Sequence, residues 1–500
     1  MANVNVNVAT TWISVRTNSM GVLLDCDFRM SDYIRSMLYE REWNPKLKYM
    51  EITSKYLWYD KESMMLYMPR YSLQSFKEYI EAYGINVIEN IVQPIKPQKV
   101  KMSMKPGFNL RDEQIEPAAF LADESVGFRP LALRPGFGKT CLSINTIVKL
   151  GYRAIVVLGM LIDQWKDSIL QFTTMKESDI YIVKGVDSLK MLWKMIDNGK
   201  KPNIVLFSTR TLDLYAIDRA EGYRELRSYN ELCKKLGIGV KIIDECHLKF
   251  GTNSQIDFRS NIKMNVYLSA TYQRNSRDGR RIFDMYFPPE MKFGEQLIRK
   301  YTTVEFVYYH LCIPREHIFR FKTFKGYNHA MYEKYLFRHR KYFNAFVSDI
   351  IIAMIIQYFF NVRKQGQHCL ILCQSRLFSI ELADKLCKEL DDTETISVFF
   401  SGDKDYGNEE RLKSDIVVST VQSCGTGRDI KGLKTCINTV SMASAPQAIQ
   451  CLGRLREIPG EDTYYIDMCN EEIMSQVNHA RVRLDIFKQK AKAVETFKLR

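Results

Sequence analysis

Short apolar runs, each followed by a segment of helical character, recur in two series along this 500-residue chain. The first series is Leu131-Ala132-Leu133, Ala154 to Leu158, Ile204 to Phe207, Lys241-Ile242-Ile243 and Val266-Tyr267-Leu268. The second is Cys369 to Leu372, Ile396 to Phe399, Asp415 to Val418 and Tyr464 to Asp467. Strands this short and this apolar are covered on both faces, and their alternation with helices points to parallel sheets wrapped by helices. An α/β chain with two parallel-sheet domains in tandem is therefore expected, over 109–300 and 301–478. The most apolar stretch, 346–360, is interrupted by Asp349 and Gln357. It is too short to span a bilayer and reads as a buried helix.

Residues 1–95 read as a small α+β accessory domain, a candidate nucleic-acid-binding unit. Tyr56 to Tyr59 and Ser63 to Met68 flank Asp60-Lys61-Glu62, which suggests a hairpin. Ser72 to Gly84 reads as a helix, with Ser72 placed to cap it and Gly84 to stop it. The stretch 96–108 follows as a linker rich in lysine and proline. At the other end, 479–500 is rich in lysine and arginine and reads as a basic C-terminal helix.

Two segments of the first series carry chemistry. Gly136-Phe137-Gly138-Lys139-Thr140 follows an apolar strand and precedes a plausible helix. That is the context of a phosphate-binding loop: glycines let the backbone approach the anion, and a helix N-terminus stands behind it. Lys139 is placed to reach the β- and γ-phosphates and Thr140 to hold Mg²⁺. Leu133 stands where such loops usually carry their first glycine, and Pro135 removes one N–H from the cradle. About a hundred residues on, Ile242-Ile243 delivers Asp244 and Glu245 at a strand end. A carboxylate there holds Mg²⁺ in P-loop ATPases, and the second is placed to orient and deprotonate the attacking water.

The wider series of motifs resembles superfamily 2 helicases. Asp244-Glu245-Cys246-His247 resembles their DExH box, and Leu268-Ser269-Ala270-Thr271 resembles motif III. Leu110-Arg111-Asp112-Glu113-Gln114 is similar to the segment whose glutamine contacts adenine. Leu161 to Trp165 and Ser208 to Leu212 resemble motifs Ia and Ib, which face nucleic acid in the family. Gly425-Thr426-Gly427-Arg428-Asp429-Ile430 resembles motif V, and Gln450 to Arg456 resembles motif VI. Order and spacing agree from about 109 to 470. Arg277-Asp278-Gly279, the chain length and a small domain before the motor bring the chain nearest to the phage UvsW, XPB and poxvirus transcript-release group.

The resemblance implies two RecA-like domains and ATP with Mg²⁺ as cofactors. It assigns Gln114, Gly136, Gly138, Lys139 and Thr140 to nucleotide binding, Thr140 and Asp244 to Mg²⁺, and Asp244 and Glu245 to hydrolysis. Motif VI implies that Arg454 and Arg456 act on the γ-phosphate. Glu457 stands where the family's last arginine usually falls, so Arg456 is one place early. Cys451 and Tyr272 also depart from the pattern. His247, Ser269, Thr271, Gly427, Asp429 and Gln450 are implied to couple hydrolysis to strand contacts. Trp165 reads as packing, not as a platform for a base.

Charge supports a polyanionic partner. The net charge is +14 and the pI about 9.0, which favours nucleic acid; the resemblance implies DNA before RNA, with replication or transcription machinery as a further candidate partner. The 12 cysteines show no paired C-x-x-C spacing and fit buried thiols in a reducing compartment. The N-terminus lacks the pattern of a signal peptide. A cytoplasmic or nucleoid-associated protein is expected, in the host cell if viral, with no membrane partner and no secretion. The expected activity is an ATP-dependent DNA helicase or translocase acting on branched DNA in recombination, repair or replication. Two alternatives stay open: a transcript-release or RNA-directed factor, and an annealing protein with a vestigial ATPase.

Overall fold

The computed structural model describes residues 11–499 apart from 18–20, 25–27, 45–48, 54–57, 61–64, 134–135, 160, 221–226, 271, 273–275, 295–299, 324–325, 392 and 425–429. The chain divides into two compact units, one of Met1–Leu133 with Phe137–Gln296, the other of Leu297–Arg500 with Arg134–Gly136.

The first unit opens with β1 (Thr11–Thr17), β2 (Gly21–Leu24), β3 (Glu40–Asn44), β4 (Tyr49–Thr53), β5 (Trp58–Asp60), β6 (Met65–Pro69) and β7 (Ile85–Ile91). Five of these form a mixed sheet in the order β5-β6-β2-β1-β7, and β3 pairs with β4 as a separate ribbon. The expected hairpin is the β5–β6 pair, with Tyr59 opposite Leu66. The expected helix runs over Leu73–Glu81 and turns Leu73, Phe76 and Ile80 inward. Ser72 precedes it, but its hydroxyl is buried without a partner and caps nothing.

A second sheet follows in the same unit: β8 (Phe128–Ala132), β9 (Arg153–Leu158), β10 (Ile180–Val183), β11 (Ile204–Ser208), β12 (Ile238–Ile243) and β13 (Met264–Ser269). Its order is β10-β11-β9-β12-β13-β8 and every pair is parallel. The apolar runs of the sequence are these strands, buried at every position in β8, β11, β12 and β13. Lys241 is buried inside β12 because the Asp257 carboxylate pairs with it, and Asp257 in turn accepts a 2.8 Å hydrogen bond from Tyr267.

The small N-terminal domain is built into this unit. Ile34, Leu38, Met68 and Phe76 share one hydrophobic core with Phe128, Tyr286 and Phe287. Arg41 grips Asp278 through Nε (2.8 Å) and Nη2 (3.1 Å), and its backbone N–H adds a third bond (3.1 Å). That grip holds the Asp278 carboxyl down at about 2. The linker is no free tether either. Backbone bonds fix it at Gln98 to Gly237, Val100 to Gly151 and Lys105 to Phe172.

The second unit contains β14 (Thr302–Tyr309), β15 (Lys322–Thr323), β16 (Gly326–Tyr327), β17 (His368–Cys373), β18 (Ile396–Phe399), β19 (Ile416–Thr420), β20 (Leu433–Asn438), β21 (Thr463–Asn470) and β22 (Ala493–Lys498). Seven strands form a parallel sheet in the order β18-β19-β17-β20-β21-β14-β22. The basic segment 479–500 is not one helix. A helix runs over Met474–Lys490, and the chain then returns as β22 beside β14, with Val304 opposite Val494. Val494, Thr496 and Phe497 favour a strand, and the open edge of β14 supplies its hydrogen-bonding groups. The continuous helical stretch Arg340–Phe360 has 21 residues, longer than the sequence suggested and apolar enough to cross a membrane. Its Phe343, Phe346, Val347, Ile351, Met354, Ile355 and Phe359 belong instead to the core of this unit.

Candidate active site

The carboxyl ends of the strands in the first parallel sheet bring the predicted residues together. After β8 the chain turns through Gly136 and Gly138, both left-handed at φ 76° and 97°. Gly138 is the residue before the helix Lys139–Leu150. A Cβ on Gly138 would stand 2.5 Å from Gln114 Nε2, so the close approach and the positive φ both call for glycine. Phe137 is buried, and its carbonyl accepts from Gln114 Nε2 at 2.8 Å and from Arg111 Nη2 at 2.5 Å. Gln114 Oε1 also accepts the Arg111 backbone N–H at 3.1 Å. The segment expected at the adenine thus braces the loop, and Arg111 is a brace that sequence reasoning did not single out.

Lys139 projects from the first turn of that helix. Its ammonium donates to the Leu133 carbonyl at 3.1 Å and lies 3.9 Å from Glu245 Oε1. Thr140 follows it, half-buried, on the same first turn. The backbone N–H groups of such a turn are left without helical partners and face an incoming anion.

Asp244 and Glu245 leave the end of β12. The Asp244 backbone donates to Val157 on β9 at 3.1 Å, which fixes the strand end against its neighbour. One oxygen of the Asp244 carboxylate accepts the Glu245 backbone N–H at 3.0 Å. The other accepts the indole N–H of Trp165 at 3.0 Å. Burial, then the charge of Glu245, push the Asp244 carboxyl up to about 6 against the opposing pull of Lys139 and Trp165. Glu245 sits at φ 48°, a strained backbone for a residue with a Cβ. Its Oε2 is buried without a hydrogen-bond partner, 3.4 Å from His247 Nδ1. A buried carboxylate oxygen with unused lone pairs is ready to accept from a water or a hydroxyl.

Beside this pair, His247 Nδ1 and Ser269 Oγ are 2.9 Å apart, joining the end of β12 to the end of β13. Thr271, the next predicted coupling residue, lies outside the described residues, as do Gly427 and Asp429. In the second unit, Gln450 and Arg454 are buried and Arg456 half-buried at the end of the helix Ala445–Leu452. Arg454 Nε donates to the Gln450 carbonyl at 3.4 Å, and Arg456 Nη1 donates to the Gly453 carbonyl.

The donor set suits Mg²⁺. Asp244 and Thr140 offer hard oxygen ligands, and each Asp244 oxygen keeps lone-pair capacity beyond its one bond. No group of three or more His, Cys, Asp or Glu able to hold a metal occurs among the described residues. Trp165 is the residue whose part sequence reasoning missed. It packs in the interior as expected, only 2% exposed, yet its N–H is spent on the predicted Mg²⁺ carboxylate. The available signal was chemical: a buried indole N–H needs an acceptor.

A comparison with curated proteins finds the putative helicase 161L of Invertebrate iridescent virus 6, 29% identical over 181 residues. That alignment takes in 35% of this chain and 34% of the viral protein, so the chain spans about a third of the length of the relative it matches. The motif series of the sequence resembles that of superfamily 2 helicases. No protein-family model matches the chain. Solved structures similar to it include phage T4 UvsW, at 13% identity and a TM-score of 0.37, with 98% of this chain and all of UvsW covered. Dbp5 of S. cerevisiae, bound to RNA and ADP BeF3, is similar at 12% identity and a TM-score of 0.47, covering 78% of this chain and 89% of Dbp5. A DEAD box protein from Methanococcus jannaschii is similar at 16% identity and a TM-score of 0.43, covering 80% of this chain and all of that one.

Proposed function

We propose that this protein hydrolyses ATP with Mg²⁺ to move on or remodel nucleic acid, DNA in preference to RNA. The observation that carries the reading is the convergence of Lys139, Asp244 and Glu245 at the carboxyl end of one sheet, with Glu245 Oε2 left without a donor. Lys139 binds the β- and γ-phosphates, and the first turn of its helix directs N–H groups at them. Thr140 and Asp244 hold the Mg²⁺, which supplies charge neutralisation to the leaving phosphates. Trp165 fixes the Asp244 carboxylate in that orientation. Glu245 orients the attacking water and takes its proton. Gly136, Gly138 and Gln114 shape the loop and the base side of the nucleotide.

Motif VI assigns Arg454 to the developing charge on the γ-phosphate, with Arg456 beside it. His247 and Ser269 pass the change at the nucleotide to the strand contacts, together with Thr271, Gly427, Asp429 and Gln450. Strand contacts of this kind fall mainly on the backbone, so binding is expected to be tolerant of sequence and weakened by salt. Branched DNA in recombination, repair or replication is the substrate class that the UvsW-like features favour.

The deciding experiment is ATP turnover with single-stranded, duplex, forked and four-way DNA and with matched RNA. Stimulation greatest with branched DNA is expected. Turnover that no nucleic acid changes would overturn the motor reading.

A further inference from the structure

The second unit carries a cluster of cations that the motifs do not use. It lies in the segment between β14 and β17, where the turn Arg315–Lys322 packs against the helix His329–Arg338. His317 Nδ1 and the Tyr335 hydroxyl are 2.7 Å apart, and the rings of His317 and His339 are stacked at 6.0 Å. Phe321 is buried against Tyr332 and Tyr335 at 5.5 and 5.2 Å. These contacts bring the turn and the far end of the helix onto one patch.

Arg315, Arg320, Lys322, Arg338 and Lys341 stand exposed on that patch. Among the described residues, none of the five is ion-paired with a carboxylate. Other cations of this unit are ion-paired, although exposed Lys334 on the same helix is not. Arg340 pairs with Glu381 at 3.1 Å, His310 with Glu471 at 2.9 Å, and Arg363 with Glu394 and Asp415. Glu316 is the one exposed acid within the turn. A folded surface that leaves five cations uncompensated raises its own repulsion and draws polyanions. Amid them stands Phe319, at 72% the most exposed large hydrophobic side chain among the described residues. The Lys322 ammonium lies 6.0 Å from its ring centre.

We propose that this patch binds a single strand of nucleic acid, its phosphates on the five cations and one unstacked base on Phe319. Cations spaced along a path with a flat ring among them are what a single strand requires, whereas a duplex keeps its base faces covered. An acidic protein would use the charges and leave the ring idle. The inference rests on the reading of the protein as a nucleic-acid motor and gives that motor a strand contact outside its motifs.

The test uses the full chain and a fluorescein-labelled 20-nucleotide single strand, with the matching duplex, titrated by anisotropy across a KCl series. A variant with Arg315, Arg320, Lys322, Arg338 and Lys341 all changed to Gln should bind the single strand with a shallower salt dependence. The slope of log affinity against log salt should fall by about 0.7 for each phosphate that is no longer neutralised. Phe319→Ala should weaken single-strand binding roughly tenfold and leave the duplex unchanged. Lys413→Gln, which removes a cation already paired with Glu410, should change neither. ATP turnover without nucleic acid should be the same in all four proteins. A five-site variant with the wild-type slope overturns this patch alone. Wild-type protein that binds neither oligonucleotide overturns the motor reading and the patch with it. Equal losses on strand and duplex in Phe319→Ala overturn the single-strand assignment.

Discussion

Both parallel sheets end in polar clusters, and the two clusters are built on opposite principles. At the edge of the first sheet the groups are incompletely matched. Glu245 keeps an oxygen without a donor, Lys139 stands 3.9 Å from its other oxygen, and Asp244 is raised towards neutrality by burial and a like charge. At the edge of the second sheet the groups are closed upon one another. Buried Arg483 grips both oxygens of buried Asp467 at 2.6 and 2.8 Å and gives a third bond to the Met442 carbonyl. Asn470, Gln476, Tyr327 and His329 continue the network through Ser441 to His479. A cluster short of partners awaits a ligand, and a satisfied one holds the fold. The same α/β architecture thus carries one incompletely matched cluster and one closed one.

Mutations should divide along that line. Lys139→Ala should have the largest effect on function, lowering ATP turnover at least a hundredfold. Its melting temperature should stay close to wild type and its nucleic-acid binding nearly intact. A large drop in melting temperature with turnover retained would reverse the contrast. Arg483→Met should do the opposite. Breaking a buried pair leaves Asp467 charged and alone, at a cost of about 3–5 kcal/mol. Chemical denaturation should show that loss, and adding Asp467→Leu should recover much of it.

Trp165→Phe sharpens the contrast further, because it removes one hydrogen bond and keeps the packing. The Mg²⁺ needed for half-maximal nucleotide binding should rise about tenfold, the scale of outer ligand supports. Calorimetric titration of a non-hydrolysable nucleotide at graded Mg²⁺ reads this directly. An unchanged Mg²⁺ requirement would reduce Trp165 to a packing residue.

The effect confined to acid pH concerns the closed cluster. His329 accepts at Nδ1 from the Ser441 backbone N–H and lies 3.0 Å from the Tyr327 hydroxyl. Burial, with Arg483 and His479 nearby, holds it neutral and lowers it to about 3. For a base lowered on folding, the unfolded chain takes the proton first. Its contribution is therefore whole above pH 6.5 and is lost as pH falls from 6.5 towards 3, by up to about 1.4 kcal/mol per pH unit. Against wild type, His329→Asn should flatten stability over that window; identical slopes would remove His329 from the account.

Much of this was legible in the sequence because short apolar runs and strand-end motifs are local signals. Lys139, Asp244, Glu245, His247 and Ser269 each follow a recognisable run, and the sheets are parallel as the alternation required. What could not be read was tertiary. Trp165 lies 79 residues from the carboxylate it holds, and Arg41 lies 237 from Asp278. The last segment misled because lysines and arginines suit a helix surface and a solvent-facing edge strand equally well. Only the open edge of β14 decides between them. Ser72 misled for a related reason, since its position before the helix was right but its side chain turned inward.

The N-terminal domain that shares Phe128, Tyr286 and Phe287 with the first parallel sheet bears on how the chain can be cut. A truncation at the start of the motor motifs would uncover those rings and strip the edge bonds that the linker makes at Gly151, Phe172 and Gly237. Such a fragment would present sticky aromatic surface, an ingredient of aggregation. A piece ending at Gln296 that keeps the N-terminal domain retains the shared core together with Lys139, Asp244 and Glu245.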